Sequence, residues 1–179
     1  MQVWKTRSRR LILDTGKFLR VEQHEVELPN GVIIPDWTWV ITPDFVNVAA
    51  ITEAGEFICF RQTKYAVAGL TLAPVGGYLE PGEDPLTAAQ RELQEEAGYS
   101  AREWIALGAY PVDGNRGAGT AHLYLALGAY PSTKKVSDDL EEQELVLLSR
   151  DQVQQAVLDG SFKVVSWLAL MAAALVYLR

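Results

Sequence analysis

Short β-branched and aromatic runs, broken by turn residues, dominate the first third of the chain, a pattern that specifies strands rather than helices. Residues 21–28 and 32–42 flank Pro29-Asn30-Gly31. Asn-Gly supplies the positive φ angles of a tight hairpin, so these two runs are expected to pair antiparallel. Residues 46–52 and 56–62 flank Glu53-Ala54-Gly55 and are rich enough in Val, Ile and Phe for central strands. The stretch 65–73 is less regular, and further strands are expected at 104–110, 121–128 and 145–148. Between them the period changes. Asp84-Pro85 offers a capping carboxylate followed by a proline at the first helical position, Gly98 offers a stop, and Leu86, Ala89, Leu93 and Ala97 recur every three or four residues. One amphipathic helix is predicted there. Ser149 opens another helix, and residues 164–178 are apolar except for Ser166. That run is shorter than the roughly 18 residues needed to cross a bilayer, so it reads as a helix docked on the domain, and no membrane association is expected.

Strands first and helices interspersed later predict an α+β fold, a layered α/β/α sandwich built on a mixed sheet and preceded by N-terminal antiparallel strands. At 179 residues and 49% hydrophobic content, the chain is expected to be one domain, residues 1–179, with strands over 1–45 and a sandwich over 46–179. Sixteen Lys and Arg against 23 Asp and Glu give a net charge of −7, which argues against nucleic acid as a partner. The single cysteine, Cys59, lies in the apolar run Phe57-Ile58-Cys59-Phe60 and cannot form an internal disulfide. Lys5, Arg7, Arg9 and Arg10 precede only Leu11-Ile12-Leu13, too short for a signal-peptide core. A reducing, cytoplasmic setting is the expectation.

The predicted helix carries the chemistry. On a wheel of 100° per residue, Glu92, Glu95 and Glu96 cluster beside the apolar stripe. Like charges at these spacings each cost about 0.2–0.5 kcal/mol of helix stability, so the cluster is unfavourable without a cation beside it. Just upstream, Gly76-Gly77 and Glu83 adjoin the helix N-terminus, where the helix dipole and free N–H groups favour an anionic phosphate. Hard oxygen donors without a Cys or His cluster select Mg2+, with Mn2+ as the substitute, over zinc.

Gly77, five residues, Glu83, seven residues, then Arg91-Glu92-Leu93-Gln94-Glu95-Glu96-Ala97-Gly98-Tyr99 resembles the Nudix box, Gly-x5-Glu-x7-Arg-Glu-U-x-Glu-Glu-x-Gly-U, where U is bulky and aliphatic. Seven fixed identities match, and Tyr99 at the last U is the one departure. The resemblance implies hydrolysis of a nucleoside diphosphate linked to another moiety. It further implies that Glu92, Glu96 and the Gly76 carbonyl are metal ligands and that Glu95 is a ligand or a contact to metal-bound water. Arg91, paired with Glu95 or Glu83, and Glu83 itself hold those carboxylates in place.

Within the family, the chain before the box is similar to ADP-ribose pyrophosphatases and related nucleotide-sugar hydrolases. This implies a small-molecule nucleotide substrate, a phosphate contact from Arg61 in Arg61-Gln62-Thr63-Lys64-Tyr65, and a homodimer in which the N-terminal strands take part. Trp37 and Trp39, two apart on one strand, point to the same face and suit a stacked base, a dimer surface or ordinary core packing. The subgroup also implies a general base on a late acidic loop; Glu141 in 138–144 is the assigned residue, with Asp139 and Glu142 as rivals. The subgroup's proline with a following Ser/Thr-Glu pair is absent. Pro111 lies earlier, and the glycine-rich stretch 113–120 instead offers Arg116 to a terminal phosphate or sugar hydroxyls. ADP-ribose therefore heads a list. Dinucleotides, coenzyme A or nucleoside triphosphates are the alternative substrates, and a non-catalytic nucleotide-sensing module is the remaining class.

Overall fold

In the computed structural model, which describes residues 2–132 and 142–178, the Asn30-Gly31 turn closes the predicted hairpin. Gly31 sits at φ +83°, the Asn30 side chain accepts from the Val32 N–H at 3.1 Å, and the Leu28 and Val32 backbones join at 2.8 Å. The turn links β2 (Arg20–Glu27) to β3 (Ile33–Ile41), and β1 (Lys5–Asp14) pairs antiparallel with the other edge of β2. Every residue of β1 is exposed.

The chain divides into two compact units, Met1–Asp44 with Tyr110–Thr120, and Phe45–Ala109 with Ala121–Arg179. Sequence alone gave no sign that 110–120 joins the first unit. Within that unit the segment is tied to the end of β3 by the Thr42 N–H on the Gly117 carbonyl at 3.2 Å. The Thr120 N–H adds a bond to the Asp44 carboxylate at 2.8 Å. Gly119 is obligatory: it adopts φ +77°, and a Cβ there would lie 2.4 Å from the Pro43 carbonyl oxygen.

The second unit is built on a mixed sheet. Its main path runs β11 (Gln143–Leu148), β5 (Phe57–Lys64), β4 (Phe45–Thr52), β10 (Thr120–Pro131), β8 (Tyr99–Ser100); β6 (Val67–Ala73) pairs with β5, β7 (Val75–Tyr78) with β4, and β9 (Glu103–Pro111) with β10. Strands β4 and β10 are parallel, whereas β4 meets β5 and β7 antiparallel. The central strand alternates between two cores. Val46, Val48 and Ala50 pack with Ala88, Ala89, Leu93 and Ala97 of the box helix, while Ala49 and Ile51 pack with Val153 and Ala156 of α2 (Arg150–Leu158) and with Leu170, Met171 and Ala174 of α3 (Val165–Tyr177). Helices thus cover both faces of the sheet, the α/β/α layering expected of an α+β Nudix fold. A strand buried on both faces reads as a continuous apolar run, which is the pattern of 46–51. Cys59 belongs to the second core, and burial pushes its thiol pKa up to about 12, so it acts as packing rather than as a nucleophile. Ser149 caps α2 through a full capping box with Gln152. Among the described residues no helix is long and apolar enough to cross a membrane.

Strand β5 stays with β4 for only two residue pairs, Ala50↔Ile58 and Ile51↔Phe57; β7 then takes over the first half of β4, from Phe45↔Tyr78 to Val48↔Val75. The divergence of β5 from β7 opens the sheet beside Gly76.

Candidate active site

The box helix begins as its sequence dictates. Asp84 accepts from the N–H groups of Leu86 and Thr87 at 3.1 Å each, Pro85 occupies the first helical position, and Gly98 ends the run in the left-handed region at φ +74°. The middle differs from the expectation of one α-helix. Helix α1 covers Pro85–Glu92, and Leu93–Ala97 then wind as a π-helical turn. The 100° wheel holds through Glu92, the last residue of α1, which is buried beside Ala88 and Ala89, and fails beyond it where the turn widens. Periodicity did not reveal this: a π turn needs the same residue types as an α turn. Tyr99, the departure from the box pattern, packs against the first core and fills the apolar slot.

Two glycines bring the backbone to the carboxylates. A Cβ on Gly77 would lie 2.2 Å from Glu92 Oε1, so the missing side chain is where the carboxylate sits. Gly76 donates its N–H to Glu96 Oε2 at 2.9 Å, and its α-carbon is covered by Asn47, whose buried Oδ1 accepts no hydrogen bond from any described residue. Arg91 is the hub. Its Nε and one terminal nitrogen hold both oxygens of Glu83 at 2.9 and 3.0 Å, and its other terminal nitrogen meets Glu92 Oε1 at 2.7 Å and Glu95 Oε2 at 3.0 Å. The Arg91 hydrogen bond, aided by the Glu80 N–H, holds the Glu83 carboxyl below the usual range. Burial pushes the Glu92 carboxyl up despite Arg91 beside it.

Among the described residues no three acidic, His or Cys side chains are gathered closely enough to cage an ion as they stand. The donor set nevertheless suits a hard divalent cation: Glu92 is cradled by the missing Cβ of Gly77, Glu96 reaches the adjacent Gly76, Glu95 lies one residue before Glu96, and all offer carboxylate oxygen.

A small polar cavity of about 40 Å³ adjoins this cluster, lined by Gln62, Lys64, Gly76, Glu96, Gln143 and Trp167 among others. Strand alternation decides which residues of β5 reach it. Phe60, Gln62 and Lys64 share the cavity side, whereas Arg61 is exposed and forms an ion pair with Glu144 at 2.8 Å. The expected phosphate contact Arg61 is therefore not brought to Glu96. Gln62 and Lys64 are, and the period-two alternation beginning at the buried Phe60 was the signal that marks them. Glu141 and Asp139 lie outside the described residues, and Glu142 is exposed.

In the first unit, Trp37 and Trp39 do share a face but differ in what they meet. Trp37 donates its indole N–H to the Asn115 carbonyl at 3.2 Å, carries the Arg116 guanidinium 4.8 Å from its ring centroid and meets Trp4 edge-on at 5.2 Å. It anchors the 113–117 segment. Trp39 stacks on the buried His24 at 5.2 Å, and a Cβ on Gly117 would collide with its indole nitrogen. Trp39 forms a wall of an open cleft of about 430 Å³ lined also by Thr42, Asp44, Asp113 and Arg116.

The sandwich, the glycine-backed glutamates and the Arg91 hub together define a Nudix hydrolase: the NUDIX domain model matches residues 42–168, and the chain belongs to that family. Enzymes of this family generally need a divalent metal ion. A second model, the nucleoside diphosphate sugar hydrolase N-terminal domain, matches residues 4–40. The chain is 30% identical over 151 residues to an ADP-ribose pyrophosphatase of Bacillus subtilis, spanning 84% of this chain and 77% of that protein. It is 31% identical over 143 residues to a methanol dehydrogenase activator of Bacillus methanolicus, spanning 80% and 76%. The crystal structure of an ADP compounds hydrolase superposes with a TM-score of 0.82 at 19% identity, covering 99% of this chain and 95% of the other, and so shares the fold.

Proposed function

We propose that this Nudix hydrolase cleaves the pyrophosphate bond of ADP-ribose or a closely related nucleotide sugar, using Mg2+. The observation that carries the reading is the intact box: all of its carboxylates are present, and the Gly76-Gly77 backbone is brought against Glu92 and Glu96. Similarity to an ADP-ribose pyrophosphatase and to a nucleoside diphosphate sugar hydrolase N-terminal domain supports the substrate class. Glu92, Glu95, Glu96 and the Gly76 carbonyl would hold the ion, which when bound neutralises phosphate oxygens and acidifies water. Lys64, lining the cavity beside Glu96, offers a point charge for a phosphate oxygen. Water oxygen bonds to one phosphorus as the bridging oxygen leaves with the other; a base, assigned to Glu141, takes the water proton. The products are a nucleoside monophosphate and a sugar phosphate.

The test is a panel of ADP-ribose, ADP-glucose, GDP-mannose, NADH, coenzyme A and nucleoside triphosphates with Mg2+, followed by product identification. AMP and ribose 5-phosphate from ADP-ribose, at a kcat/KM above the rest, are expected. Preference for a triphosphate or coenzyme A would replace the substrate assignment and keep the family. Turnover at an unchanged rate in excess chelator would remove the metal from it.

For the first unit, the reading is a homodimer with Trp39 stacked on the base. Exposed Leu11, Ile12 and Leu13 on β1, with Trp4 before it and Phe18 after it, leave apolar surface on the N-terminal region, as an association face would. Light scattering is expected to give twice 19.8 kDa, and Trp39→Ala to raise KM about tenfold with kcat nearly unchanged. A monomeric mass argues against the dimer, and an unchanged KM against the base contact.

A further inference from the structure

Arg91 divides its hydrogen bonds between two kinds of partner. One edge of the guanidinium, Nε and one terminal nitrogen, grips Glu83 bidentately and also reaches the Tyr78 carbonyl at 3.3 Å. The remaining nitrogen points the other way, into Glu92 at 2.7 Å and Glu95 at 3.0 Å. Those are two of the carboxylates assigned to the divalent ion. Both carboxylates meet the same guanidinium nitrogen, and two like charges held that close repel, so the pair needs positive charge beside it whether or not a metal is bound.

We propose that Arg91 is a positioning residue that stands in for the cation: one nitrogen holds Glu92 and Glu95 in the metal-free protein and yields them when the ion binds, while the Glu83 edge stays fixed. The inference rests on the reading that the box glutamates hold the metal. Its consequence has an unusual sign. A residue that merely orients ligands strengthens metal binding, and removing it costs about 10–100-fold in affinity. A stand-in competes with the ion, so removing it weakens the metal-free fold and tightens metal binding.

The experiment is Mn2+ binding to the substrate-free full chain, read from the EPR signal of the free ion, with thermal melting in the absence and presence of Mn2+. Arg91→Gln is expected to melt below wild type without metal, to bind Mn2+ at least threefold more tightly, and to gain more in Tm from the ion than wild type does. Glu83→Gln leaves the competing nitrogen in place and is expected to keep the Mn2+ Kd within twofold. Equal or weaker Mn2+ binding by Arg91→Gln overturns the inference. If that variant does not fold without metal, Arg91→Lys carries the same test. A single ammonium cannot grip Glu83 and also span the other two carboxylates, so tighter binding is again expected and equal or weaker binding is again fatal. Absence of Mn2+ binding by wild type overturns the metal reading itself, a result separate from wild-type binding that Arg91→Gln fails to improve.

Discussion

Glu141→Gln is expected to lower kcat by about 10² to 10⁴ while leaving KM and metal affinity nearly unchanged, the pattern of a group that acts in the transition state. The reason lies in what the box carboxylates already do. Glu83, Glu92 and Glu95 accept hydrogen bonds from Arg91, and Glu96 accepts from the Gly76 N–H. Three of the four are also assigned to a cation, and positive charge lowers the basicity of a carboxylate. A water-activating base is better supplied from outside the box, and the acidic stretch 138–144 is the concentration of carboxylates there. Within it Glu144 is engaged by Arg61 at 2.8 Å. Glu142→Gln and Asp139→Asn are expected to do less. Near-normal kcat in Glu141→Gln, together with loss of kcat but not of metal in Glu95→Gln, would place the base inside the box.

Glu92→Gln and Glu96→Gln are each expected to remove at least ~100-fold of activity, close to 2.7 kcal/mol of transition-state stabilisation. Neither should unfold the protein. In Glu96→Gln the new amide oxygen still accepts from the Gly76 N–H, so the tie to β7 survives. In Glu92→Gln a buried group whose charged form is disfavoured by burial becomes permanently neutral, which offsets the loss of a charged partner for Arg91. Thermal melting without metal is therefore expected to stay within a few degrees of wild type, or to rise for Glu92→Gln, as activity falls. A large drop in melting temperature that accounts for the lost activity would make these residues structural.

Glu83 contributes one part of the pH dependence of the metal-free fold. Its folded pKa is depressed by Arg91, so the stability it contributes is present above the ordinary carboxylate pKa and is lost as pH falls through the depressed value.

How much of this is legible in the sequence differs from element to element. Asn30-Gly31, Asp84-Pro85 and Ser149 with Gln152 set turns and helix starts by local chemistry, since each satisfies backbone groups only a few residues away. The Val- and Ile-rich run 46–52 marked a central strand, and the structure shows it buried on both faces. The box spacing marked the carboxylates, whereas the cradle that Gly77 gives Glu92 came with the fold. Other features depended on contacts between distant segments. The π turn at Leu93–Ala97 has no signature in the residue periodicity. Alternation along β5 separates Arg61 from Gln62 and Lys64, but only the pairing of β5 with β11 sets Arg61 opposite Glu144. Trp37 and Trp39 share a strand face in sequence, yet the return of 110–120 occupies Trp37 with Arg116 and leaves Trp39 on the cleft. The sequence by itself determined the family, the elements whose ends are capped locally and the identity of the acidic cluster, because each depends on residues within one or two turns of each other. Which elements come together to wall a cavity, and which nitrogen of Arg91 meets which carboxylate, was decided by tertiary structure alone, because the register between strands far apart in the chain is set by burial of whole faces rather than by any local preference.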